Sequence, residues 1–131
     1  YDFQKMLPTA SLAGIDISQY AYENAMDEMK PFIQVGNANS LPYAEHSFDL
    51  VVSVNTVDHL PLAECKKALS EIQRVGKDQT FVCVNAWRTD EERELLLKWN
   101  LTALTCMSVD DWKMLFDEVG YRGDYWWFIP Q

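Results

Sequence analysis

Residues 48–54 read FDLVVSV, a nearly unbroken apolar run rich in β-branched side chains. Such a run predicts a strand that is buried on both faces, as is typical of parallel sheets. Shorter apolar runs at residues 11–17, 31–36 and 80–86 predict three further strands, and an aromatic run at residues 123–129 predicts a fifth.

Helical patterns alternate with these strands. Apolar residues recur at steps of three and four, and serine, threonine or proline precedes most of the patterns at the position where a helix begins. The predicted helices span residues 1–7, 19–29, 61–75, 89–100 and 108–119. The alternation predicts an α/β fold, a doubly wound and mostly parallel sheet with helices on both sides. In such sheets ligands bind beyond the carboxyl ends of the strands.

The composition indicates one globular domain over residues 1–131, with 48% hydrophobic and 24% charged residues. The net charge is −9 and no basic cluster is present, so nucleic acid and anionic membranes are not expected partners. No apolar run approaches the roughly 20 residues of a membrane span and no leader is evident, so we expect a cytoplasmic protein. The three cysteines lack metal-ligand spacing, which predicts buried thiols and no metal site.

Two polar residues lie at the ends of predicted strands. Asp16 ends the first strand, where a carboxylate could accept hydrogen bonds from two ribose hydroxyls or could serve as an ordinary turn residue. Asn37 follows Gly36 at the end of the second strand, where its amide could meet an adenine ring or could form a turn with its own backbone.

The order of several short motifs is more specific than any one of them. GIDIS at residues 14–18, GNA at 36–38, LPY at 41–43, SFDLVVS at 47–53 and ALSEIQRV at 68–75 follow one another along the chain. In this order they resemble the S-adenosylmethionine-dependent methyltransferases of the Rossmann-like class. The resemblance is to the small-molecule branch in particular, which includes ubiquinone and menaquinone biosynthesis enzymes.

This resemblance implies that S-adenosylmethionine is the cofactor and that a small molecule accepts the methyl group. By the resemblance Asp16 would hold the cofactor ribose and Ile17 would pack on the adenine. The other positions carried over are Asn37 and Ala38 at the adenine edge and Val54 and Asn55 at the methionine part of the cofactor.

His59 is the candidate catalytic residue. Methyl transfer mainly requires that nucleophile, methyl group and sulfur be aligned, but an oxygen or nitrogen acceptor can need to lose a proton. His59 follows the predicted central strand and has Asp58 beside it in the sequence. The alternative is that His59 caps or packs against the helix that begins near Pro61. Two adjacent side chains do not make a metal site.

The chain departs from the family pattern at its beginning. The family's glycine-rich loop precedes the ribose-binding acid by about 20 residues, and no Gly-x-Gly is present here. We therefore expect an N-terminally incomplete domain without its first strand, which in the family lies between the strands that end at Asp16 and Val54. The alternatives are an NAD-dependent dehydrogenase and a non-catalytic binding or regulatory remnant. The oligomeric state is left open, with a homodimer among the options.

Overall fold

A computed structural model describes residues 2–130 of the chain. Contacts divide the chain into two compact units, Tyr1–Ala38 and Asn39–Gln131. Tyr1, the first residue of the first predicted helix, lies outside the described residues. The prediction that the chain forms a single domain stays a prediction.

The first unit contains a two-stranded parallel sheet. Its elements are α1 (Asp2–Met6), β1 (Gly14–Asp16), α2 (Gln19–Glu23), a 3-10 turn (Lys30–Phe32) and β2 (Ile33–Val35). Asp16 in β1 lies opposite Val35 in β2, and because the two strands are parallel, both end at the same edge of this sheet.

Helix α2 begins as predicted and ends early. Ser18 is its N-cap, and its hydroxyl accepts the N–H of Ala21 at 3.1 Å. The predicted helix over residues 19–29 is wrong beyond Glu23, because Asn24 is the C-cap of α2 and ends it. Both the backbone N–H and the side-chain amide of Asn24 donate to the carbonyl of Tyr20. An asparagine that competes for backbone hydrogen bonds in this way favours a helix end over a helix interior.

The second unit is built around one long strand, β4. Its elements are β3 (Phe48–Val54), a 3-10 turn (Val57–His59), α3 (Leu62–Val75), β4 (Gly76–Trp87), α4 (Asp90–Trp99), β5 (Met107–Ser108), α5 (Val109–Val119) and β6 (Asp124–Phe128). Strands β3, β5 and β6 each pair with β4 in parallel. The predicted α/β fold with a parallel sheet is confirmed, although the two-residue β5 was not predicted. Among residues 2–130, β1 pairs with β2 alone and β3 with β4 alone.

The prediction that β3 is buried on both faces is wrong. Side chains alternate between the two faces of a strand, and here Leu50, Val52 and Val54 on one face are 44%, 39% and 55% exposed. On the other face Val51 is half-buried and Ser53 is buried. Helix α3 lies against β3. The strand therefore buries one of its two faces, the one that carries Val51 and Ser53, although its sequence is apolar on both.

The core of the second unit forms where α3 and α5 meet each other and β4. The apolar stripes predicted for both helices are confirmed except at their ends, where Leu62 is 47% exposed and Val119 is half-buried. The buried side chains are Cys65, Ala68, Leu69, Ile72, Val75, Val109, Trp112, Leu115 and Phe116. Gly76 caps α3 by donating its N–H to the carbonyl of Ile72, and it is also the first residue of β4. Helix and strand therefore follow each other without a loop.

Candidate functional site

In the first unit, Asp16 and Asn37 leave the sheet at the same edge. Asp16 ends β1, and Gly36 and Asn37 follow β2. The N–H of Gly36 donates to the carbonyl of Asp16 at 2.9 Å, so the pairing continues one residue beyond the strands. Neighbouring strands lie about 4.7–4.9 Å apart, which brings the two residues to adjacent strand ends.

The Asp16 carboxylate has both a structural contact and spare capacity to accept hydrogen bonds. One of its oxygens accepts the N–H of Ser18 at 2.8 Å, which closes the turn into α2. A carboxylate has about four sites for accepting hydrogen bonds, and the side chain is exposed. Asp16 is therefore a turn residue that can also accept hydrogen bonds from a ligand.

The residues beside this pair differ in exposure. Ile17 is 67% exposed, which leaves its apolar surface open to an aromatic ring. Asn37 and Ala38 are half-buried. The structure thus places all four residues assigned to the adenosine in the first unit, and their roles stay predictions.

Val54 and Asn55 lie in the second unit, at the carboxyl end of β3. Asn55 has a φ of 46°, a left-handed conformation that residues other than glycine seldom adopt and that asparagine tolerates best. Its N–H donates to the carbonyl of Cys83 at 2.9 Å, and its side-chain oxygen accepts the Cys83 thiol at 3.9 Å. Strained backbone of this kind often occurs at functional sites, which agrees with the predicted role of Asn55 without testing it.

His59 ends the 3-10 turn that follows β3 and is half-buried. Its N–H donates to the carbonyl of Thr56. The carboxylate of Asp58 binds Asn85, so it does not orient the imidazole of His59. Helix α3 has Pro61 at its N-cap position and no side-chain cap, so His59 does not cap that helix. Its role as a base stays a prediction.

Sequence reasoning missed a buried polar pair formed by Asp58 and Asn85. Asp58 is fully buried, and its Oδ2 accepts both the backbone N–H and the side-chain amide of Asn85, at 3.1 and 2.5 Å. The carbonyl of Asn85 accepts the indole N–H of Trp112 at 3.0 Å. The available indications in the sequence were an asparagine inside the apolar run of β4 and an aspartate between Val57 and Leu60.

The charge of Asp58 acts on all three cysteines, and none of their thiols is activated. Burial, and secondarily the charge of Asp58, raises the pKa of the Cys65 thiol to about 12. The same two causes raise the pKa of Cys83 and of Cys106. Cys65 and Cys83 are buried as predicted, whereas Cys106 is half-buried. Since a thiol reacts as its thiolate, none of the three is a nucleophile at neutral pH.

The LPY motif has a structural role in the second unit. The guanidinium of Arg74 on α3 donates to the carbonyls of Tyr43 and Leu41, at 2.8 and 3.1 Å. Glu71, which binds the same guanidinium, accepts the N–H of Leu41 at 2.8 Å. The ring of Tyr43 packs edge-on against Phe48, with centroids 4.8 Å apart. These contacts fix the segment that leads into β3.

The described residues contain neither a metal-binding cluster nor a membrane-spanning helix. Residues 2–130 contain no group of three or more histidine, cysteine, aspartate or glutamate side chains arranged to hold a metal ion. Over the same residues, every helix is too short or too polar to cross a lipid bilayer.

Comparison with known proteins identifies the family. Residues 2–84 match a family model described as a methyltransferase domain. The chain belongs to this family. Membership implies S-adenosylmethionine as the cofactor and confirms the resemblance to the S-adenosylmethionine-dependent methyltransferases. It does not single out the ubiquinone and menaquinone branch.

Three similar proteins share between 19% and 33% of their aligned residues with this chain. The chain is 33% identical over 107 residues to a tRNA (carboxymethyluridine(34)-5-O)-methyltransferase of Arabidopsis thaliana, a match that covers 80% of this chain and 26% of that protein. Among solved structures, the YcgJ protein of Bacillus subtilis is similar with a TM-score of 0.66 and 20% identity, over 86% of this chain and 53% of that one. A methyltransferase of Thermotoga maritima has a TM-score of 0.59 and 19% identity, over 89% and 66% of the two chains.

These matches differ in what they show. The two structures, at 20% and 19% identity, show the fold alone. The chain spans about a quarter of the length of its plant relative and about half of the Bacillus chain. The activity, acceptor and partners of the whole protein are therefore matters for proposal.

Proposed function

We propose that the protein transfers a methyl group from S-adenosylmethionine to a small-molecule acceptor. The family match over residues 2–84 carries this proposal. It is supported by the adjacent positions of Asp16 and Asn37 at the carboxyl edge of the first sheet, where α/β folds bind nucleotides.

The first unit offers suitable chemistry for the adenosine part of the cofactor. The Asp16 carboxylate has acceptor capacity beyond its bond to Ser18, which suits the two neighbouring hydroxyls of a ribose. Ile17 offers an exposed apolar surface for the adenine ring. Asn37 is an amide, the side-chain type that can both donate to and accept from the edge of that ring. When bound, the cofactor supplies a methyl group on a positively charged sulfur.

The acceptor is assigned on charge. The plant relative is named as an enzyme that methylates tRNA, so RNA is the rival acceptor. Binding to a phosphate backbone depends on clustered lysine and arginine residues, and this chain has 11 of them against 20 acidic residues. A net charge of −9 favours a small molecule, as in the branch that includes ubiquinone and menaquinone enzymes.

Calorimetric titration of the protein with S-adenosylhomocysteine and, separately, with NAD tests the cofactor. We expect binding of the first alone. Asp16→Ala should weaken that binding by about 10- to 100-fold, because hydrogen bonds to a charged group contribute roughly 1.5–3 kcal/mol. The affinity of Asp16→Asn should lie between those of the wild type and Asp16→Ala, since its amide oxygen can still accept the N–H of Ser18. Asp27→Asn is the matched control, because Asp27 is an exposed acid of the same unit that pairs with Lys30.

Each other outcome overturns the proposal. Binding of NAD alone would indicate a dehydrogenase, and binding of neither ligand would indicate a non-catalytic remnant. Transfer of labelled methyl groups from S-adenosylmethionine into a cell extract tests the acceptor. Label that enters small molecules supports the proposal, whereas label that enters RNA and is released by ribonuclease contradicts it.

A further inference from the structure

The segment between β3 and α3 is fastened to β4 at two neighbouring positions. At its beginning, the N–H of Asn55 donates to the carbonyl of Cys83. Three residues later, the side chain of Asp58 accepts both donors of Asn85. Cys83 and Asn85 are alternate residues of one strand, so residues 55–58 are anchored to the carboxyl end of β4 at both of their ends.

The same segment also holds the chain that follows α4. The carbonyl of Asp58 accepts the N–H groups of Leu104 and Thr105, both at 2.9 Å. The hydroxyl of Thr105 donates to the carbonyl of Leu60 at 2.7 Å. Asp58 therefore joins the end of β3, the end of β4 and residues 104–105 through its own backbone and side chain.

A hydrophobic side chain could fill this position and would leave the backbone bonds to residues 104–105, but it could not accept the two hydrogen bonds from Asn85. Burying a carboxylate costs free energy unless donors are supplied, and both donors to its Oδ2 come from Asn85. Its Oδ1, although buried, has no partner among the described residues. An interaction that costs this much to bury and links residue 58 to the end of β4 is better suited to fixing geometry than to stabilising the fold.

We infer that Asp58 and Asn85 are positioning residues for the methyl-transfer site. Their bond sets the position of Asn55 and His59 at the carboxyl edge of the second sheet. It also sets the position of the Asp58 backbone carbonyl, which holds residues 104–105. This inference rests on the proposed function for its consequence, because Asn55 and His59 are the residues of this segment assigned to the cofactor and the acceptor.

Two variants of Asp58 separate positioning from simple stabilisation. Asp58→Leu keeps the branching of the side chain at Cγ and removes the acceptor, whereas Asp58→Asn keeps an oxygen for both donors of Asn85, removes the charge and puts an amide nitrogen in place of the unpartnered Oδ1. Ser53→Ala is the control, because the Ser53 hydroxyl is buried and makes no hydrogen bond in the described residues. Unfolding in urea identifies the conditions under which each variant is folded.

The histidines provide a spectroscopic measurement that does not depend on activity. The chain has two of them, and His46 precedes β3 while His59 follows it, so the length of the strand separates them. In the folded protein we expect Asp58→Leu to shift and broaden the Cε1–H resonance of His59 and to leave that of His46 in place. The affinity for S-adenosylhomocysteine should fall by about tenfold or more. Asp58→Asn and Ser53→Ala should each leave the His59 resonance at its wild-type position and keep the affinity within about twofold of wild type.

The outcomes distinguish this inference from the proposed function. If folded Asp58→Leu protein keeps the His59 resonance, or if Asp58→Asn behaves like Asp58→Leu, the positioning role is overturned. If the unmodified protein does not bind S-adenosylhomocysteine, the proposed function fails, while the His59 resonance still tests the positioning role. Should Asp58→Leu not fold, Asn85→Ala replaces it, because the backbone N–H donor remains. A smaller shift of His59 supports the inference, and an unchanged resonance overturns it.

Discussion

Replacing Arg74 with alanine should release the segment that leads into β3. The guanidinium makes two hydrogen bonds to the carbonyls of Leu41 and Tyr43 and two to the carboxylate of Glu71, at 2.6–3.1 Å. Removing a hydrogen bond to a charged group costs about 1.5–3 kcal/mol. The side chains of Arg74 and Glu71 are 29% and 20% exposed, and this contact with solvent lowers the cost of each bond. We expect a loss of about 2–4 kcal/mol in the free energy of unfolding.

Urea denaturation measures this loss, which corresponds to a fall in melting temperature of roughly 10 °C for a domain of this size. Arg122→Ala is the matched control. Arg122 pairs with Asp117 at the surface, where the two side chains are 66% and 83% exposed, and an exposed pair contributes about 0–1 kcal/mol. If Arg74→Ala loses no more stability than Arg122→Ala, the role assigned to Arg74 is refuted.

The same contact predicts a pH dependence. The hydrogen bond from Arg74 lowers the pKa of the Glu71 carboxyl below its ordinary value. A carboxyl group whose pKa is lowered by folding stabilises the protein above its unfolded pKa, and this contribution is lost as the pH falls through the folded value. The wild type should therefore lose stability below about pH 4.5 more steeply than Arg74→Ala, as measured by urea midpoints between about pH 7 and pH 3. Equal slopes would contradict the assignment.

Two further predictions concern the core of the second unit. Gly123→Ala would place a Cβ in overlap with the hydroxyl of Thr80 and 2.5 Å from its carbonyl oxygen. Because backbone cannot move aside easily, we expect the free energy of unfolding, measured by urea denaturation, to fall by about 2–3 kcal/mol. A wild-type midpoint would show that the strands separate more readily than the structure indicates. Cys65, with its pKa raised to about 12, should be alkylated near pH 8 only as fast as the protein unfolds, as followed by mass spectrometry. Rapid labelling of the folded protein would contradict its burial.

Features fixed by neighbouring residues could be predicted from the sequence. Ser18 caps α2, and Thr89 and Glu92 form the capping box at the start of α4, because each pairing involves residues within three positions. The buried stripes of α3 and α5 follow from helical spacing in the same way. The positions of Asp16 and Asn37 were predictable because the ends of parallel strands meet at one edge.

Features set by distant parts of the chain could not be predicted. The open face of β3 depends on what packs against the strand, which an apolar run does not specify. The bond between Asp58 and Asn85 joins residues 27 positions apart, and the sequence offered His59 as the nearer partner. The left-handed backbone of Asn55 likewise depends on its bond to Cys83 in the adjacent strand.

The direct passage from α3 into β4 makes this junction intolerant of insertions. Gly76 ends the helix and begins the strand, so an added residue has no connecting loop in which to be accommodated. Shifting a strand by one position exchanges its two faces, so the buried side chains of Val82 and Val84 would turn to the opposite side of the sheet. Homologous chains with a longer connection here must therefore place the extra residues in a loop, and those without one must preserve the count from helix to strand.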